Sequence, residues 1–500
     1  MNKKSVLFGL PVIILLIIYF PLFYTNYVYL DDCHNLWHNE KGIIYYDIWL
    51  VQGRFLGGLL MDKAYTSIHT IGAIKILRII SLSGWALAIC LFIKCISQWA
   101  RYINFDNRLI LLSGVYIACS ISVSIYTGWG GVCFEIFLAF IAGLLSGHLL
   151  FTQLKKYGAY VSIPIPMQLL ILTLGLCSLF LYQIGIGAFL LPFFLHFTTK
   201  KFRLPDRIVI TGVIAYLVIV FVYYLLFKLS LNIEGVTGND RTALNLNVFD
   251  KIAFFFSVPT AQAFSFNFFL NLHSIISQAF YIIAISVWIA YLFISYRNQP
   301  VIKKLLYVVV VFLLMMLMYL PVMVARENFA SYRTMINLNL AAFILLTSMI
   351  LEWIKKEKWK TYFVITAMVA LIVTGFYNFR YNFLYPVAKE YKLLRTYVQQ
   401  QYTAGLNKVY FLRPPENLFY KEFQVQPYRD EFGVPSTFRD WVPEPLVKQI
   451  IFELTGSKSI AEKIEVVQFT EAASFNKQVE QKEDHTLAID MAAIFYAGEK

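Results

Sequence analysis

Residues 1–32 read MNKKSVLFGLPVIILLIIYFPLFYTNYVYLDD, where two lysines precede an apolar run and two aspartates follow it. The run is about twenty residues long, which as a helix matches the hydrocarbon thickness of a bilayer. The segment lacks the short apolar region and the small-residue cleavage site of a secretory signal peptide. We therefore predict an uncleaved membrane-spanning helix, with removal as a signal peptide as the alternative.

The rest of the chain has the same apolar character. Of its 500 residues, 59% are hydrophobic and only 15% are charged, a balance that a soluble protein of this length could not bury in its cores. Apolar stretches between polar loops predict nine spanning helices. They cover residues 6–25, 72–96, 109–126, 132–152, 208–228, 275–296, 304–323, 335–353 and 361–379.

One longer apolar stretch, residues 168–198, has basic residues at both flanks. Both ends should therefore lie on the same side of the membrane, so the stretch must cross it and return. The turn is predicted at YQIGIG, residues 182–187, which brings the total to eleven helices. Short or broken helices are tolerated only where protein or a water-filled cavity shelters their ends, so we expect this hairpin to line a cavity.

The distribution of charge predicts the orientation. Residues 1–379 carry 28 Lys and Arg against 14 Asp and Glu, whereas residues 380–500 carry 15 against 16. The basic excess follows alternate loops, near residues 3–4, 101–108, 155–156, 200–207, 297–304 and 355–360. The positive-inside rule then places the N-terminus in the cytoplasm and the chain in the cytoplasmic membrane. Basic residues scattered over short loops make nucleic acid an unfavoured partner.

An odd number of helices places the C-terminus outside the cell. Residues 380–500 are predicted to form a small extracytoplasmic α/β domain, separate from a membrane domain over residues 1–379. Its predicted helices cover residues 385–402 and 443–456, and its predicted strands cover residues 408–412, 464–469 and 486–497.

Asp31 and Asp32 follow the first helix directly. Adjacent carboxylates at a membrane boundary repel each other and are costly to desolvate, which points to a partner, a metal ion or a catalytic proton. A solvated pair of loop charges is the alternative. His34 and His38 have the spacing of two ligands on one helix face but no identifiable third ligand, which disfavours zinc. A disulfide between Cys33 and Cys133 is left open, since no cysteine spacing indicates one.

Several weak motifs occur in a characteristic order along the membrane part. They are Asp31-Asp32 after the first helix, Gly53-Arg54 later in that loop, Tyr182-Gln183 in the hairpin, and Arg333 at the start of a late helix. With these motifs the sequence resembles the GT-C superfamily of integral membrane glycosyltransferases, most closely the bacterial type II glucosyltransferase family. The resemblance covers the membrane domain and leaves out the C-terminal domain.

The resemblance implies a GT-C-like fold and transfer of a hexose, such as glucose, from a polyprenyl-phosphate donor. The acceptor would be a cell-surface glycan or a lipid-linked glycan on the extracytoplasmic face. Such a transfer needs a carboxylate base, for which Asp31 and Asp32 are the candidates and Asp32 is preferred, and cations for the phosphate. Arg54 and Arg333 are the candidate cations, because a guanidinium matches phosphate oxygens in a bidentate way. Contact with lipid headgroups is their alternative role.

Four more residues are candidates for substrate binding. Tyr182 and Gln183 lie at the hairpin turn, where the Gln183 amide would bind sugar hydroxyls or cap the turn. Glu135 lies inside the end of the fourth helix, where an acid is expensive unless it is used or paired. Glu327 is close in sequence to Arg326 and Arg333, so an ion pair is its alternative. No clear second Asp-x-Asp motif follows, which leaves dependence on a divalent cation such as Mg²⁺ open.

Two other classes of function compete with this reading. The first is an O-antigen polymerase or ligase, which ordinarily centres on a large, late, arginine-rich outer loop, whereas here the carboxylate-rich loop comes first. The second is a flippase or transporter, which predicts ionisable residues near the bilayer midplane. Most ionisable residues here lie near the outer helix ends, which favours chemistry at the surface. The sequence contains no P-loop and no dinucleotide-binding glycine motif, so no nucleotide cofactor is expected.

Overall fold

The computed structural model describes residues 3–43, 45–103, 106–158, 162–199, 202, 204–238, 242–245, 247–265, 275–428 and 431–497. Within these residues, eight helices are long and apolar enough to cross a membrane. They are Val6–Phe23, Ile71–Trp99, Gly130–Tyr157, Arg207–Glu234, Ile275–Ser295, Val301–Met318, Ile336–Trp353 and Glu357–Gln401. Asn107–Cys119 and Ile121–Gly128 form a ninth candidate span with a bend of 44°. The prediction of a polytopic helical membrane protein is confirmed.

The α-helices and β-strands are numbered along the chain. The helices of the apolar part are α1 Lys3–Tyr19, α2 Asp31–Trp37, α3 Phe55–Thr66, α4 Ile71–Trp99, α5 Asn107–Cys119, α6 Ile121–Gly128, α7 Glu135–Tyr157, α8 Ile165–Leu181, α9 Leu191–Thr199, α10 Arg207–Glu234, α11 Val248–Ser257, α12 Pro259–Phe264, α13 Ile275–Ser295, α14 Val301–Met318, α15 Leu320–Met323, α16 Ile336–Trp353 and α17 Glu357–Tyr377. The remaining elements are α18 Tyr385–Gln401, β1 Lys408–Leu412, α19 Leu418–Phe423, α20 Pro443–Thr455, α21 Lys458–Glu462, β2 Glu465–Phe469, α22 Ala472–Glu480, β3 Thr486–Asp490 and α23 Met491–Ala497.

The bend between α5 and α6 comes from a serine that ends one helix and begins the next. Ser120 has an extended backbone, with φ −63° and ψ 137°, and its hydroxyl accepts the backbone N–H of Ser122. A serine in this conformation is a favourable N-cap. The new helix therefore starts in a different direction, and the side chains of α6 are buried inside the bundle.

The predicted hairpin reverses at Tyr182, whose backbone is extended with φ −159°. α8 ends one residue earlier, and a 3-10 helix over Gln183–Leu190 leads into α9. The Ser178 hydroxyl donates to the carbonyl of Ala139, near the start of α7, and the Ser146 hydroxyl donates to the carbonyl of Ile171. α8 therefore runs antiparallel to α7.

The second arm of the hairpin packs on a glycine stripe of α7. A Cβ atom on Gly143 would lie 2.4 Å from the carbonyl oxygen of Gly185, and one on Gly147 would lie 2.1 Å from that of Phe189. The arm therefore runs parallel to α7 and antiparallel to α8, as a returning chain requires. Both arms are shorter than the spanning helices.

The C-terminal residues contain a parallel sheet of three strands in the order β2-β1-β3. The predicted strand over residues 486–497 is wrong beyond Asp490, because the chain there turns into α23. The Asp490 carboxylate accepts the backbone N–H of Ala493, which favours a helix start. Met491 and Phe495, one helical turn apart, are both buried on this helix.

α17 continues into α18 through a π-helix over Asn378–Leu384, so the helical run extends from Glu357 to Gln401. The boundary proposed at residues 379–380 therefore lies inside a continuous helix. Glu390 on α18 is buried, and its carboxylate accepts the backbone N–H groups of Ser436 and Thr437 at 3.0 and 2.9 Å. These two hydrogen bonds hold the segment before α20 against α18, the helix that precedes β1.

Candidate functional site

A cavity of about 210 Å³ lies where the ends of several helices meet. Seven of the eight residues proposed from the sequence line it, and they come from five separate segments of the chain. They are Asp31, Arg54, Glu135, Tyr182, Gln183, Glu327 and Arg333. Asp32 is the exception, and the structure places it behind the cavity wall.

A left-handed glycine positions Arg54 at the start of α3. Gly53 has φ +75°, and a Cβ atom there would lie 2.3 Å from the hydroxyl oxygen of Tyr223. That hydroxyl donates to the Gly53 carbonyl at 3.0 Å. Glycine is needed both for the backbone conformation and for this close approach. Gly53 therefore lets the chain pack against Tyr223 and begin α3 with Arg54 at the cavity.

Arg54 is held by the tip of the hairpin. Its Nε donates to Oε1 of Gln183 at 3.0 Å, and its guanidinium carbon lies 4.1 Å from the centroid of the Tyr182 ring. The Gln183 amide nitrogen donates to the Gln52 carbonyl at 2.6 Å and to the Tyr223 hydroxyl at 2.9 Å. Gln183 is the first residue of the 3-10 helix, and its side-chain amide contacts Arg54, Gln52 and Tyr223. Gln183 is thus a positioning residue for Arg54.

Arg333 lies in a 3-10 turn, Tyr332–Thr334, just before α16. The carboxylate of Glu431, a fully buried residue, accepts the backbone N–H groups of Tyr332 and Arg333 at 2.7 and 3.0 Å. It also lies 3.6 Å from Nε of Arg333. Burial raises the pKa of Glu431, against the lowering effects of the Arg333 charge and of the backbone N–H groups.

Two aromatic rings line the approach to the Arg333 guanidinium. Its central carbon lies 5.0 Å from the ring centroid of Trp129 and 5.2 Å from that of Phe329. Such contacts stabilise a cation in a partly dehydrated place. The cavity therefore presents two guanidinium groups, Arg54 and Arg333, each held by contacts from separate parts of the chain.

Glu135 is the first residue of α7 and is completely buried. Its Oε2 accepts the indole N–H of Trp49. Its Oε1 has no hydrogen-bond partner among the described residues. A buried carboxylate oxygen without a donor is energetically costly, and this residue lines the cavity. Glu135 is therefore suited to accept a hydroxyl group of a bound ligand.

Asp32 has the contacts of a structural residue. It is fully buried, its Oδ2 accepts Nη2 of Arg78 at 2.7 Å, and its Oδ1 accepts the Tyr65 hydroxyl at 3.0 Å and the Gly131 N–H at 2.7 Å. Arg78 is buried as well and donates to the carbonyl of Tyr27. Burial raises the pKa of Asp32, against the lowering effect of Arg78. Both carboxylate oxygens already have protein partners.

Asp31 is half-buried and lines the cavity. Its Oδ1 accepts the indole N–H of Trp441 at 3.1 Å. Trp441 lies in the C-terminal part of the chain, 410 residues away in sequence. No local sequence pattern marks Trp441, Glu431 or Tyr223, because each of them reaches the site from a distant part of the chain.

Two cysteines and two histidines were candidates for a disulfide and for a metal site. Cys33 and Cys133 are both buried free thiols. The rings of His34 and His38 lie with centroids 4.6 Å apart. Within the described ranges, no group of three or more His, Cys, Asp or Glu side chains could hold a metal ion. Among the described residues that line the cavity, the positively charged side chains are those of Arg54 and Arg333.

An apolar groove of about 380 Å³ lies beside the cavity, between α3, α8 and α10. It is lined by Phe55, Leu56, Thr173, Leu176, Cys177, Phe180, Leu226 and Ser230. Phe55 follows Arg54 in sequence, and the Phe180 ring packs edge-on against Tyr223 of the cavity wall, with centroids 4.9 Å apart. Neighbouring residues of the same segments therefore line the groove and the cavity.

Comparisons of this chain with protein-family models, with curated proteins and with solved structures find no match.

Proposed function

We propose that this protein is a membrane glycosyltransferase of the GT-C type, which moves a hexose such as glucose from a polyprenyl phosphate to a glycan or lipid-linked acceptor. One observation carries the proposal: five distant segments bring Asp31, Glu135, Gln183 and two arginines into a single cavity. Two fixed guanidinium groups beside carboxylates suit a substrate that has both a phosphate and hydroxyl groups.

Arg54 and Arg333 would hold the phosphate of the donor. Guanidinium groups bind phosphate oxygens through paired hydrogen bonds, and their charge stabilises the phosphate as it leaves. Gln183 holds Arg54, and the buried Glu431 carboxylate holds the turn that contains Arg333. Fixed cations of this kind need little reorganisation during the reaction.

Asp31 would be the general base toward the acceptor. It takes the proton of the acceptor hydroxyl as that oxygen forms a bond with C1 of the sugar. The bond between C1 and the phosphate oxygen breaks, and its electron pair remains on the departing polyprenyl phosphate. Glu135 would accept a hydroxyl of the transferred sugar through Oε1 and so orient C1.

The apolar groove beside Arg54 would hold the start of the polyprenyl chain, because it is lined almost entirely by apolar side chains. We further propose that the two hairpin arms both cross the membrane, which gives eleven helices. The basic loops then place the N-terminus in the cytoplasm, and the cavity and the C-terminal residues outside the cytoplasmic membrane.

The base assignment is tested with Asp31→Asn, which keeps the shape of the side chain and removes the proton acceptor. We expect the transfer rate to fall about a hundredfold or more, with donor binding retained. The measurement is transfer of radioactive hexose from a polyprenyl-phosphate sugar in membranes with equal amounts of each protein. Asp484→Asn, in a loop of the C-terminal part, is the matched control and should retain the wild-type rate.

Wild-type transfer by Asp31→Asn would contradict the proposed base. Absence of transfer by the wild-type protein, together with movement of a labelled polyprenyl-linked sugar across the bilayer, would favour the flippase. Extension of a polyprenyl-linked glycan by whole repeat units would favour the O-antigen polymerase.

A further inference from the structure

The turn before α20 joins the C-terminal sheet to the cavity. Its backbone is fixed from the sheet side, because the Gln468 amide on β2 donates to the Asp440 carbonyl at 2.8 Å. It is fixed from the membrane side too, because the buried thiol of Cys33 on α2 lies 3.7 Å from the Val442 carbonyl oxygen. Val442 itself is completely buried. The residue between these two anchors is Trp441.

Trp441 is both exposed and held in place. Its side chain is 42% exposed, although its indole N–H is used by the Asp31 carboxylate. The guanidinium carbon of Arg439 lies 5.9 Å from the ring centroid and further restricts the ring. Trp441 is therefore an exposed aromatic ring held next to Asp31, a residue that lines the cavity. Folding alone does not require this arrangement.

We propose that Trp441 is the acceptor-binding platform of the site, and that the acceptor is a glycan whose sugar ring stacks on the indole. This inference rests on the proposed function, in which Asp31 receives the acceptor proton. A hydroxyl that reaches Asp31 belongs to a ring that must lie beside Trp441, since the two side chains are joined by a hydrogen bond. Aromatic faces bind the apolar C–H surface of a sugar, and the indole edge stays polar.

A consequence is that the C-terminal part of the chain completes the acceptor side of the site. The arginines hold the donor from the start of α3 and from the 3-10 turn before α16, whereas Trp441 reaches Asp31 from the turn before α20. Acceptor and donor binding should therefore be separable by mutation. A change at Trp441 should weaken the acceptor and leave the donor unaffected.

The test uses the purified full chain in liposomes, with polyprenyl-phosphate [14C]glucose as donor and the delipidated surface polysaccharide of the host cells as acceptor. Trp441→Ala should raise the acceptor KM about tenfold and leave the donor KM unchanged. Trp441→Phe keeps a ring but loses the N–H. Its acceptor KM should stay within about threefold of wild type while kcat falls, because Asp31 is held less firmly.

Trp359→Ala is the matched control, because Trp359 is 59% exposed and lies at the start of α17, away from the cavity. It should change neither KM. Thermal unfolding in detergent should give the same Tm for all four proteins. An unchanged acceptor KM for Trp441→Ala, or an equal rise in both KM values, would overturn the inference and leave the proposed transfer intact.

A second measurement separates this inference from the proposed function. Binding of the same polysaccharide is measured without any donor, by thermophoresis of the labelled protein. Weaker binding by Trp441→Ala than by wild type supports the platform even if the wild-type protein transfers no sugar. Equal binding by both proteins, or no binding by the wild type, overturns it.

Discussion

Asp31 and Asp32 are adjacent in sequence and have opposite environments. Consecutive side chains on a helix point about 100° apart. At the start of α2 this geometry turns Asp32 toward Arg78 in the interior and leaves Asp31 facing the cavity. One carboxylate therefore stabilises the fold, and the other lines the cavity. Two adjacent aspartates that are equivalent in the sequence therefore have different environments in the helix.

This division predicts different defects for the two substitutions. Asp32→Asn leaves the Arg78 guanidinium buried without its counter-charge, which should cost about 3–5 kcal/mol of unfolding free energy. Asp31→Asn should change stability by less than about 1 kcal/mol, because Asp31 is only half-buried. Tm and transfer rate are measured on the same preparations. An Asp32→Asn protein that is as stable as wild type but inactive would assign the base to Asp32 instead.

Glu431 predicts a pH dependence of stability. Its pKa is raised in the folded protein by burial, so the folded state holds its proton more readily than the unfolded state does. Its contribution to stability is then largest at low pH and is lost as pH rises through the folded-state pKa. We expect the Tm of wild type relative to Glu431→Gln to fall as the pH rises above the ordinary pKa of a glutamate, about 4.3. A constant difference, or one of opposite sign, would contradict this.

At the scale of elements, the hairpin depends on α7. Gly143 and Gly147 let the backbone of the second arm approach without any intervening side chain. Glycines at one-turn spacing are a known means of close helix packing in membranes. This packing places the hairpin tip, with Tyr182 and Gln183, beside Arg54. The position of a cavity residue thus depends on two glycines that do not line the cavity.

Gly147→Ala should therefore destabilise the protein. The added methyl group would lie 2.1 Å from the carbonyl oxygen of Phe189, a backbone atom that cannot move away cheaply. We expect a loss of about 1–3 kcal/mol, seen as a lower Tm in detergent. Gly9→Ala, on α1, is the control, since nothing lies within 4 Å of its Cβ position. Equal Tm values for the two variants would show that the arms are not packed this closely.

At the scale of the whole molecule, buried carboxylates join the C-terminal part to the helices. Glu390 binds the segment before α20 through Ser436 and Thr437, and Glu431 binds the turn before α16 through its backbone. Both carboxylates accept N–H donors that would otherwise be buried without partners. These buried hydrogen bonds fix the C-terminal part against the helices, and through Glu431 they position the turn that contains Arg333 of the cavity.

The proposed eleven crossings predict the sides of the two chain ends. Epitope tags placed before Met1 and after Lys500 should be protected on opposite sides of sealed vesicles, because an odd number of crossings separates the ends. A tag inserted at Gly158, in the loop after α7, should share the side of the N-terminal tag. Tags at both ends on one side would show an even number of crossings, as expected if residues 165–199 cross the membrane only once.

The amino-acid sequence determines the class of this protein and the approximate positions of its apolar helices. The free energy gained by removing an apolar run of bilayer length from water is large. Length and composition alone therefore predict each span. The hairpin break at Tyr182 was also predictable, because basic flanks on both sides require a return. The strand predicted over residues 486–497 was wrong beyond Asp490, where the Asp490 carboxylate caps a helix. A single cap contributes little free energy, yet here it decides between strand and helix.

Only the tertiary structure decided the roles of individual side chains. Motif order indicated the residues around the cavity, but it could not tell Asp31 from Asp32 or find Glu431 and Trp441. These roles depend on contacts between residues up to 410 positions apart, such as the bond from Trp441 to Asp31. Local periodicity contains no information about such contacts. They form when the bundle and the sheet pack together and buried polar groups must find partners.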